Sequence, residues 1–245
     1  MKNKFILLVL LLMGQVYTIA QNERIINYDI DLLVQEDRSL QVTEEITVYV
    51  AGEQIKRGIF RSLPNRRVLK DKTMRMKYGI LSVQKDGTDE PYFVEGEGGD
   101  RVLYIGRKDV LLEHGEYTYT IQYRVPDQIA FFDDYDEIYW NAIGHFWPFD
   151  IEQANVTIQL PEGIVMTQEA AYTGRYGVTD QNYTRGLNQG NFDYTLTSPL
   201  EPREGFSVSM AFEKGYFKEP GIFQRFGSLI TIILGLLFLI PYYIS

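Results

Sequence analysis

The amino-acid sequence predicts an all-β protein, specifically an antiparallel β-sandwich of immunoglobulin-like or larger size. Between residues 21 and 220, apolar side chains recur at every second position in short runs, and turns rich in polar residues or glycine separate these runs. The 245-residue chain contains no Cys, which excludes a disulfide scaffold, a thiol nucleophile and a Cys-ligated metal centre.

The alternation is clearest in residues 26–34 and 40–50, which a polar turn at residues 36–39 separates. In the second run the even-numbered positions share one face, and Glu44 is the charged member of this otherwise apolar set. The two runs therefore predict a hairpin with one buried face. Further strands are predicted near residues 73–84, 91–94, 101–106, 116–125, 154–160, 191–196 and 206–212. We take residues 21–220 as one domain, although two small sandwiches are an alternative, and strand order stays open.

The first 20 residues have the features of a cleaved secretory signal peptide. Lys2 and Lys4 precede nine consecutive apolar residues at positions 5–13, and Ala20 ends a tripeptide typical of a cleavage site. Nine apolar residues are too few to span a bilayer. The sequence therefore predicts that the domain is exported.

Residues 226–244 form a second apolar run, with 19 residues and no charge. A helix of this length covers roughly 28 Å, which is enough to cross the hydrocarbon core. We therefore predict a single-pass membrane protein in which the lipid bilayer contacts residues 226–244 and the bulk is extracytoplasmic. Arg225 and Lys218 precede this run and no cation follows it, against the usual positive-inside bias.

A basic segment between residues 56 and 77 contrasts with the acidic chain, whose formal net charge is −9. It carries nine Lys or Arg residues against one Asp. The candidate docking patch comprises Arg57, Arg61, Arg66, Arg67, Lys70 and Lys72. It could bind anionic headgroups or an acidic partner, or it could be a solvated loop. A nucleic-acid partner is not expected, because the chain is acidic and carries an export signal.

Residues 139–147 contain both Trp residues of the chain and one of its two His residues. Trp140, His145 and Trp147 are therefore a candidate platform for a sugar or a peptide. The competing interpretation is that both Trp rings fill the core, because the neighbouring Ile138, Ile143 and Phe149 are apolar.

Enzyme templates are poorly matched. The sequence lacks G-x-S-x-G, H-E-x-x-H and P-loop motifs, and we name no catalytic, cofactor-binding or metal-ligating residue. Residues 133–137 hold four carboxylates, but their spacing does not match an EF-hand loop, and a solvated turn is the simpler interpretation. An acid–base carboxylate pair, as in glycosidases, stays open among 33 acidic residues.

Four segments in a fixed order carry a family resemblance: residues 39–45 (SLQVTEE), 57–64 (RGIFRSLP), 139–147 (YWNAIGHFW) and 156–161 (VTIQLP). Over about residues 24–244 the chain resembles the DUF 2207 family, the YciQ-like predicted membrane proteins of bacteria. The resemblance implies an anchored, extracytoplasmic β-rich domain with no established activity. Arg38 stands where the family more usually has Gly. Its members typically continue into further membrane helices, so whether this chain is a fragment stays open.

Together these features favour a non-enzymatic interaction or scaffold module of the cell envelope, with an envelope protein as its partner. The first alternative is a carbohydrate- or peptide-binding domain that uses residues 140–147. The second is an envelope hydrolase with a carboxylate pair. No cofactor is expected.

Overall fold

A computed structural model describes residues 22–69 and 72–221, and these residues form an all-β fold. The strands are β1 (Arg24–Val34), β2 (Leu40–Val50), β3 (Gly58–Pro64), β4 (Arg66–Leu69), β5 (Lys72–Arg75), β6 (Gly79–Lys85), β7 (Thr88–Asp89), β8 (Tyr92–Glu97), β9 (Asp100–Gly106), β10 (Gly115–Val125), β11 (Ile129–Phe131), β12 (Tyr135–Ile143), β13 (Ile151–Gln159), β14 (Met166–Gly174), β15 (Tyr183–Asn188), β16 (Asn191–Leu196) and β17 (Gly205–Glu213). The predicted fold class is confirmed.

The two predicted terminal segments, the signal peptide at residues 1–20 and the membrane helix at residues 226–244, lie outside the described residues. Within residues 22–69 and 72–221, the structure contains no helix with the length and hydrophobicity needed to cross a bilayer.

The predicted hairpin is confirmed as the pairing of β1 with β2. Its antiparallel register runs from Arg24 opposite Tyr49 to Val34 opposite Leu40. A β-bulge at Ile26 shifts the register, so Ile25 is buried and Ile26 is only partly buried. The bulge inserts an extra residue on one side of the ladder, so the predicted alternation breaks at the start of β1.

An eight-stranded sheet is built around this hairpin, in the order β15-β16-β13-β1-β2-β10-β6-β7. The pairing of β1 with β13 is parallel and departs from the antiparallel pattern, which the other strand pairs follow in the described part of the chain. Parallel neighbours need a long crossover connection, and here most of the domain lies between the two strands. Sequence periodicity could not predict this pairing, since it reports faces and not neighbours.

A four-stranded sheet in the order β11-β12-β17-β14 packs against the large sheet and completes the sandwich. The Tyr183 ring of β15 lies 6.0 Å from the Phe206 ring of β17. The Tyr194 hydroxyl of β16 donates a hydrogen bond to Glu169 of β14 at 2.6 Å. The apolar residues of both sheets form one hydrophobic core.

Two smaller units complete the fold: the three-stranded sheet β3-β9-β8 and the hairpin β4–β5. Gly58 and Gly106 pair directly at the start of β3, where a Cβ on Gly58 would lie 1.8 Å from the Ile105 carbonyl oxygen. β3, β4, β7, β11, β12, β14 and β15 were not predicted from the sequence. In β12 the reason is that a cluster of aromatic and charged residues masks the alternation.

Candidate functional site

The predicted basic patch is not one surface. Arg57 is exposed just before β3, Arg61 is buried within β3, and Arg66 and Arg67 lie beyond its far end in β4. Lys70 lies outside the described residues, as does the side chain of Lys72. The prediction that Arg61 belongs to a docking surface is wrong, because its position in β3 points the side chain into the core.

Arg61 instead forms a buried ion pair with Glu44. Its Nε donates to Glu44 Oε2 at 2.7 Å and its Nη2 donates to Oε1 at 3.0 Å, which is a bidentate arrangement. The hydroxyls of Tyr28 and Tyr123 donate to the same carboxylate at 2.6 and 2.5 Å. Glu44 is completely buried, so these four hydrogen bonds compensate for the loss of its hydration.

The β-sheet register explains how this cluster forms. Glu44 on β2 lies between Ile30 of β1 and Ile121 of β10, and the two tyrosines occupy diagonal positions on these neighbouring strands. Burial raises the pKa of both tyrosines, and the charge of Glu44 raises it further. Burial disfavours the charged form of Arg61, but Glu44 more than offsets this and raises the pKa of Arg61. The tyrosines therefore stay neutral donors beside a charged pair.

The candidate aromatic platform is mostly inside the protein. Trp140 and Trp147 are 6% and 4% exposed, and the Trp147 ring packs edge-on against Tyr28 with a centroid distance of 5.9 Å. Neither ring offers an open face for stacking on a sugar. His145 is partly buried and contacts the ring of Tyr176 edge-on. Burial lowers the pKa of His145, and a hydrogen bond to the Gly174 backbone offsets part of this effect.

A cavity brings the two predicted features together. Its volume is about 520 Å³, and it lies between the end of β3, the β4–β5 hairpin, β12 and the loop that follows β14. Its lining residues are Arg61, Leu63, Pro64, Arg66, Arg67, Val68, Met76, Tyr78, Glu137, Tyr139, Trp140, Asn141 and Tyr176. We call it the β12 cavity. His145 and Trp147 are not among the residues that line it.

The β12 cavity has a positive rim. Arg66 pairs across the hairpin with Arg75, so two like charges face each other, and in the described part of the chain neither has a carboxylate partner. Arg67 is partly buried, and its Nη1 lies 3.4 Å from both the backbone and the side-chain oxygen of Gln128. Burial lowers the pKa of Arg67, and nearby Glu137 offsets part of this. The positive charges of Arg66 and Arg67 are therefore only weakly balanced by carboxylates in the described part of the chain.

One wall of the cavity is an open strand edge. The short strand β11 pairs only with Asp136, Glu137 and Ile138 of β12. Beyond Ile138, no strand of the described chain pairs with residues 139–143 on the side opposite β17. The sequence analysis missed this edge because β11 and β12 were not predicted. A turn signal at Pro126-Asp127, followed by the short apolar run of residues 129–132, was the available clue.

The acidic run at residues 133–137 does not form one surface, because Asp133 and Asp134 precede β12 whereas Asp136 and Glu137 lie within it. Asp136 is completely buried and accepts a hydrogen bond from Lys214 Nζ at 2.8 Å, whereas Asp133 and Asp134 are exposed. Glu137 accepts a hydrogen bond from the Ser209 hydroxyl. Within residues 22–69 and 72–221, no group of three or more His, Asp or Glu side chains is arranged to hold a metal ion.

The comparisons with known proteins bear on identity. The family model described as the N-terminal domain of a predicted membrane protein, DUF2207, matches residues 24–212. The chain belongs to this family. A DUF2207 relative, the uncharacterized protein YciQ of Escherichia coli (strain K12), is 29% identical over 195 residues. That match covers 74% of this chain and 31% of YciQ, so the chain spans about a third of that relative's length.

The matches among solved structures are more distant from this DUF2207 chain. Yeast LTA4 hydrolase in complex with bestatin matches with a TM-score of 0.49 and 11% identity, covering 82% of this chain and 32% of the hydrolase. An M1 zinc metallopeptidase mutant from Deinococcus radiodurans, bound to a Tyr-Ser-Ala substrate, matches with a TM-score of 0.42 and 13% identity. This match covers 76% of this chain and 42% of the peptidase.

Proposed function

We propose that this chain is a membrane-anchored, extracytoplasmic interaction or scaffold module of the cell envelope, without enzymatic activity of its own, and that it docks a partner protein at the β12 cavity. Membership of a family of predicted membrane proteins supports the membrane location. The apolar runs at residues 1–20 and 226–244 support export and anchoring.

One observation carries the docking proposal: the β12 cavity combines uncompensated Arg side chains with an open strand edge. Both features favour binding, since the rim attracts charge and the edge offers backbone donors and acceptors. Tyr139 and Tyr176 add large side chains of the kind enriched at protein interfaces. Tyr176 is 90% exposed, so it is accessible to a partner.

The alternatives receive less support. A sugar platform needs exposed ring faces, whereas Trp140 and Trp147 are buried. A carboxylate-pair hydrolase needs two acids across a cleft, and Glu137 is the one acidic residue among the described residues that line the β12 cavity. The peptide part of the binding hypothesis is compatible with docking at this site.

Site-specific photo-crosslinking in intact cells tests the proposal. A photoreactive phenylalanine analogue at Tyr176, beside the cavity, should give a discrete adduct with an envelope protein. The same analogue at Leu187, an exposed position on the outer strand β15 of the large sheet, serves as the matched control and should give none. If Tyr176 gives no adduct, or if both positions give the same adducts, docking at the β12 cavity is wrong.

A further inference from the structure

The β12 cavity has features that select the chemistry of its occupant, and the following argument rests on the proposed docking function. Two observations are independent of one another: an unpaired backbone edge, and arginine side chains without a carboxylate partner in the described part of the chain. Each of them restricts the kind of molecule that can bind.

The open edge favours an extended polypeptide. Tyr139, Trp140 and Asn141 of β12 pair with β17 on one side and line the cavity. A strand edge presents a row of backbone N–H and C=O groups that pair readily with another extended chain. At about 3.3 Å per residue, this edge accommodates a peptide segment of roughly three residues.

The arginines favour negative charge on that polypeptide. Arg61, also in the cavity wall, is neutralised by Glu44 and adds no free charge. Arg66 and Arg75 face each other without a carboxylate partner in residues 22–69 and 72–221, and Arg67 contacts only the uncharged Gln128 through its guanidinium group. Arg75 is not among the residues that line the cavity, so a bound carboxylate would form charge-assisted hydrogen bonds with Arg66 and Arg67.

The cavity wall also contains an unpartnered donor and one acceptor. Trp140 lines the cavity, and its buried indole N–H has no hydrogen-bond acceptor in the described part of the chain. Because this nitrogen has almost no accessible surface, it does not contact a ligand in the cavity directly. Glu137 would repel a bare anion, but it can accept a hydrogen bond from a peptide N–H.

We propose that the β12 cavity binds an extended acidic peptide segment, which pairs as a strand with the edge at residues 139–141 and places its carboxylates against Arg66 and Arg67. The peptide backbone supplies the edge pairing, and its side chains supply the charge complementarity. This assigns a chemical class to the partner and does not depend on the partner's identity.

Fluorescence anisotropy with the full chain in a neutral detergent tests this proposal. The probe is a labelled oligoglutamate of about six residues, and its counterparts are oligoglutamine, oligolysine and an oligoglutamate with N-methyl groups on alternate residues. We expect oligoglutamate to bind about ten-fold or more tightly than each of the other three peptides, because only it combines charge with strand pairing. Equal binding of the N-methylated peptide would overturn the strand-pairing part.

Variants locate the site. The double substitution Arg66→Ala and Arg67→Ala should weaken oligoglutamate binding about ten-fold or more, through loss of charge-assisted contacts. Arg57→Ala removes an exposed Arg from the same sequence segment but outside the cavity, and its binding should be unchanged. Equal weakening by both changes would show a nonspecific charge effect and overturn the proposal. Circular dichroism melting of each variant verifies that the fold is intact.

The outcome is separable from the test of the proposed function. If Tyr176 crosslinks to a partner but oligoglutamate binds no better than oligoglutamine, docking stands and the acidic-peptide inference is wrong. If inorganic phosphate or vesicles of anionic phosphatidylglycerol compete while the acidic peptide does not, the cavity selects another anion and the inference is likewise overturned. If oligoglutamate binds but no crosslink forms at Tyr176, the peptide specificity stands and the docking role is wrong.

Discussion

At the scale of single residues, Glu44 is the most informative position in the chain. It occupies an inward-facing position on β2, among residues that are otherwise apolar. A carboxylate there must find buried donors, and it finds Arg61, Tyr28 and Tyr123. This cluster connects the three-stranded sheet to the large sheet and holds the end of β3 beside the β12 cavity.

Breaking the Arg61–Glu44 ion pair should destabilise the fold. Arg61→Met leaves the charge of Glu44 buried without its cation, so we expect the free energy of unfolding to fall by about 3–5 kcal/mol. Urea unfolding followed by the fluorescence of the two buried Trp residues measures this. Arg24→Met removes the cation of the solvent-exposed Arg24–Glu152 ion pair. It should lower the free energy of unfolding by at most about 1 kcal/mol.

The double variant Glu44→Leu and Arg61→Met supplies the second arm of this prediction. Because it removes both charges, it should lose less stability than Arg61→Met alone. A double variant whose loss equals the sum of the two single losses would show that the two residues act independently.

A second residue-scale prediction concerns pH and the carboxylate of Glu23. It accepts hydrogen bonds from four backbone N–H groups in the loop after β2, at distances from 2.7 to 3.3 Å. Burial would raise its pKa, but these bonds outweigh burial and lower the pKa below the ordinary value of 4.5. The carboxylate therefore stabilises the fold above about pH 4.5, and this contribution is lost as pH falls through the folded-state pKa.

Glu23→Gln should accordingly reduce the free energy of unfolding at pH 7 by about 1–3 kcal/mol, since it weakens bonds to a charged acceptor. The difference from the unsubstituted chain should shrink as the pH is lowered below 4.5. Glu53→Gln alters an exposed carboxylate in the same loop and is the matched control. A difference that is constant with pH would contradict a role for the ionised carboxylate.

At the scale of elements, the positions of β3 and β9 decide whether the cavity forms. Their pairing begins at Gly58 and Gly106, where the two backbones approach too closely for a side chain. Gly58 also has a φ of +143°, a conformation that L-residues with side chains rarely adopt. Both requirements hold β3 in the register that buries Arg61.

Gly58→Ala should therefore lower the free energy of unfolding by about 3 kcal/mol or more, through steric overlap and backbone strain. Thermal melting measures the effect. Gly79→Ala is the control, because the nearest atom to its added Cβ lies 3.8 Å away and its φ is not in the left-handed region. Similar melting temperatures for the two variants would show that the close approach of β3 and β9 is unimportant.

At the scale of the whole molecule, the proposed function depends on where the domain sits relative to the membrane. We expect the sandwich to lie outside the cytoplasmic membrane and the end of the chain to reach the bilayer or pass through it. Phe217 is buried in the core and the backbone carbonyl of Lys218 accepts a hydrogen bond from Arg38, so the segment leading to residues 226–244 is held against the domain.

Protease treatment of spheroplasts that carry the chain with a C-terminal tag measures this arrangement. Residues 22–221 should be degraded, while the tag survives in the membrane fraction. Detergent-permeabilised spheroplasts, in which the tag should also be lost, provide the control. A soluble chain, or a domain protected inside intact spheroplasts, would contradict the anchored, extracytoplasmic arrangement.

The all-β class, the first hairpin and several of the later strands could be predicted from the sequence, because a pleated strand with one buried face imposes a period of two on its residues. It also pointed to Arg66, Arg67 and Trp140, which the cavity brings together. Glu44 lies on the same strand face as five apolar residues, and the need of a buried carboxylate for a cation was the signal that could have placed Arg61 in the interior.

The parallel pairing of β1 with β13, the division of the basic segment and the open edge of β12 could not be predicted and are seen in the folded chain. These features depend on which strands become neighbours over long separations in the chain. Local periodicity records which side of a strand is buried and carries no information about its neighbour. The chemistry of the β12 cavity therefore arises from residues that the sequence displays separately and that the packing of the sheets brings together.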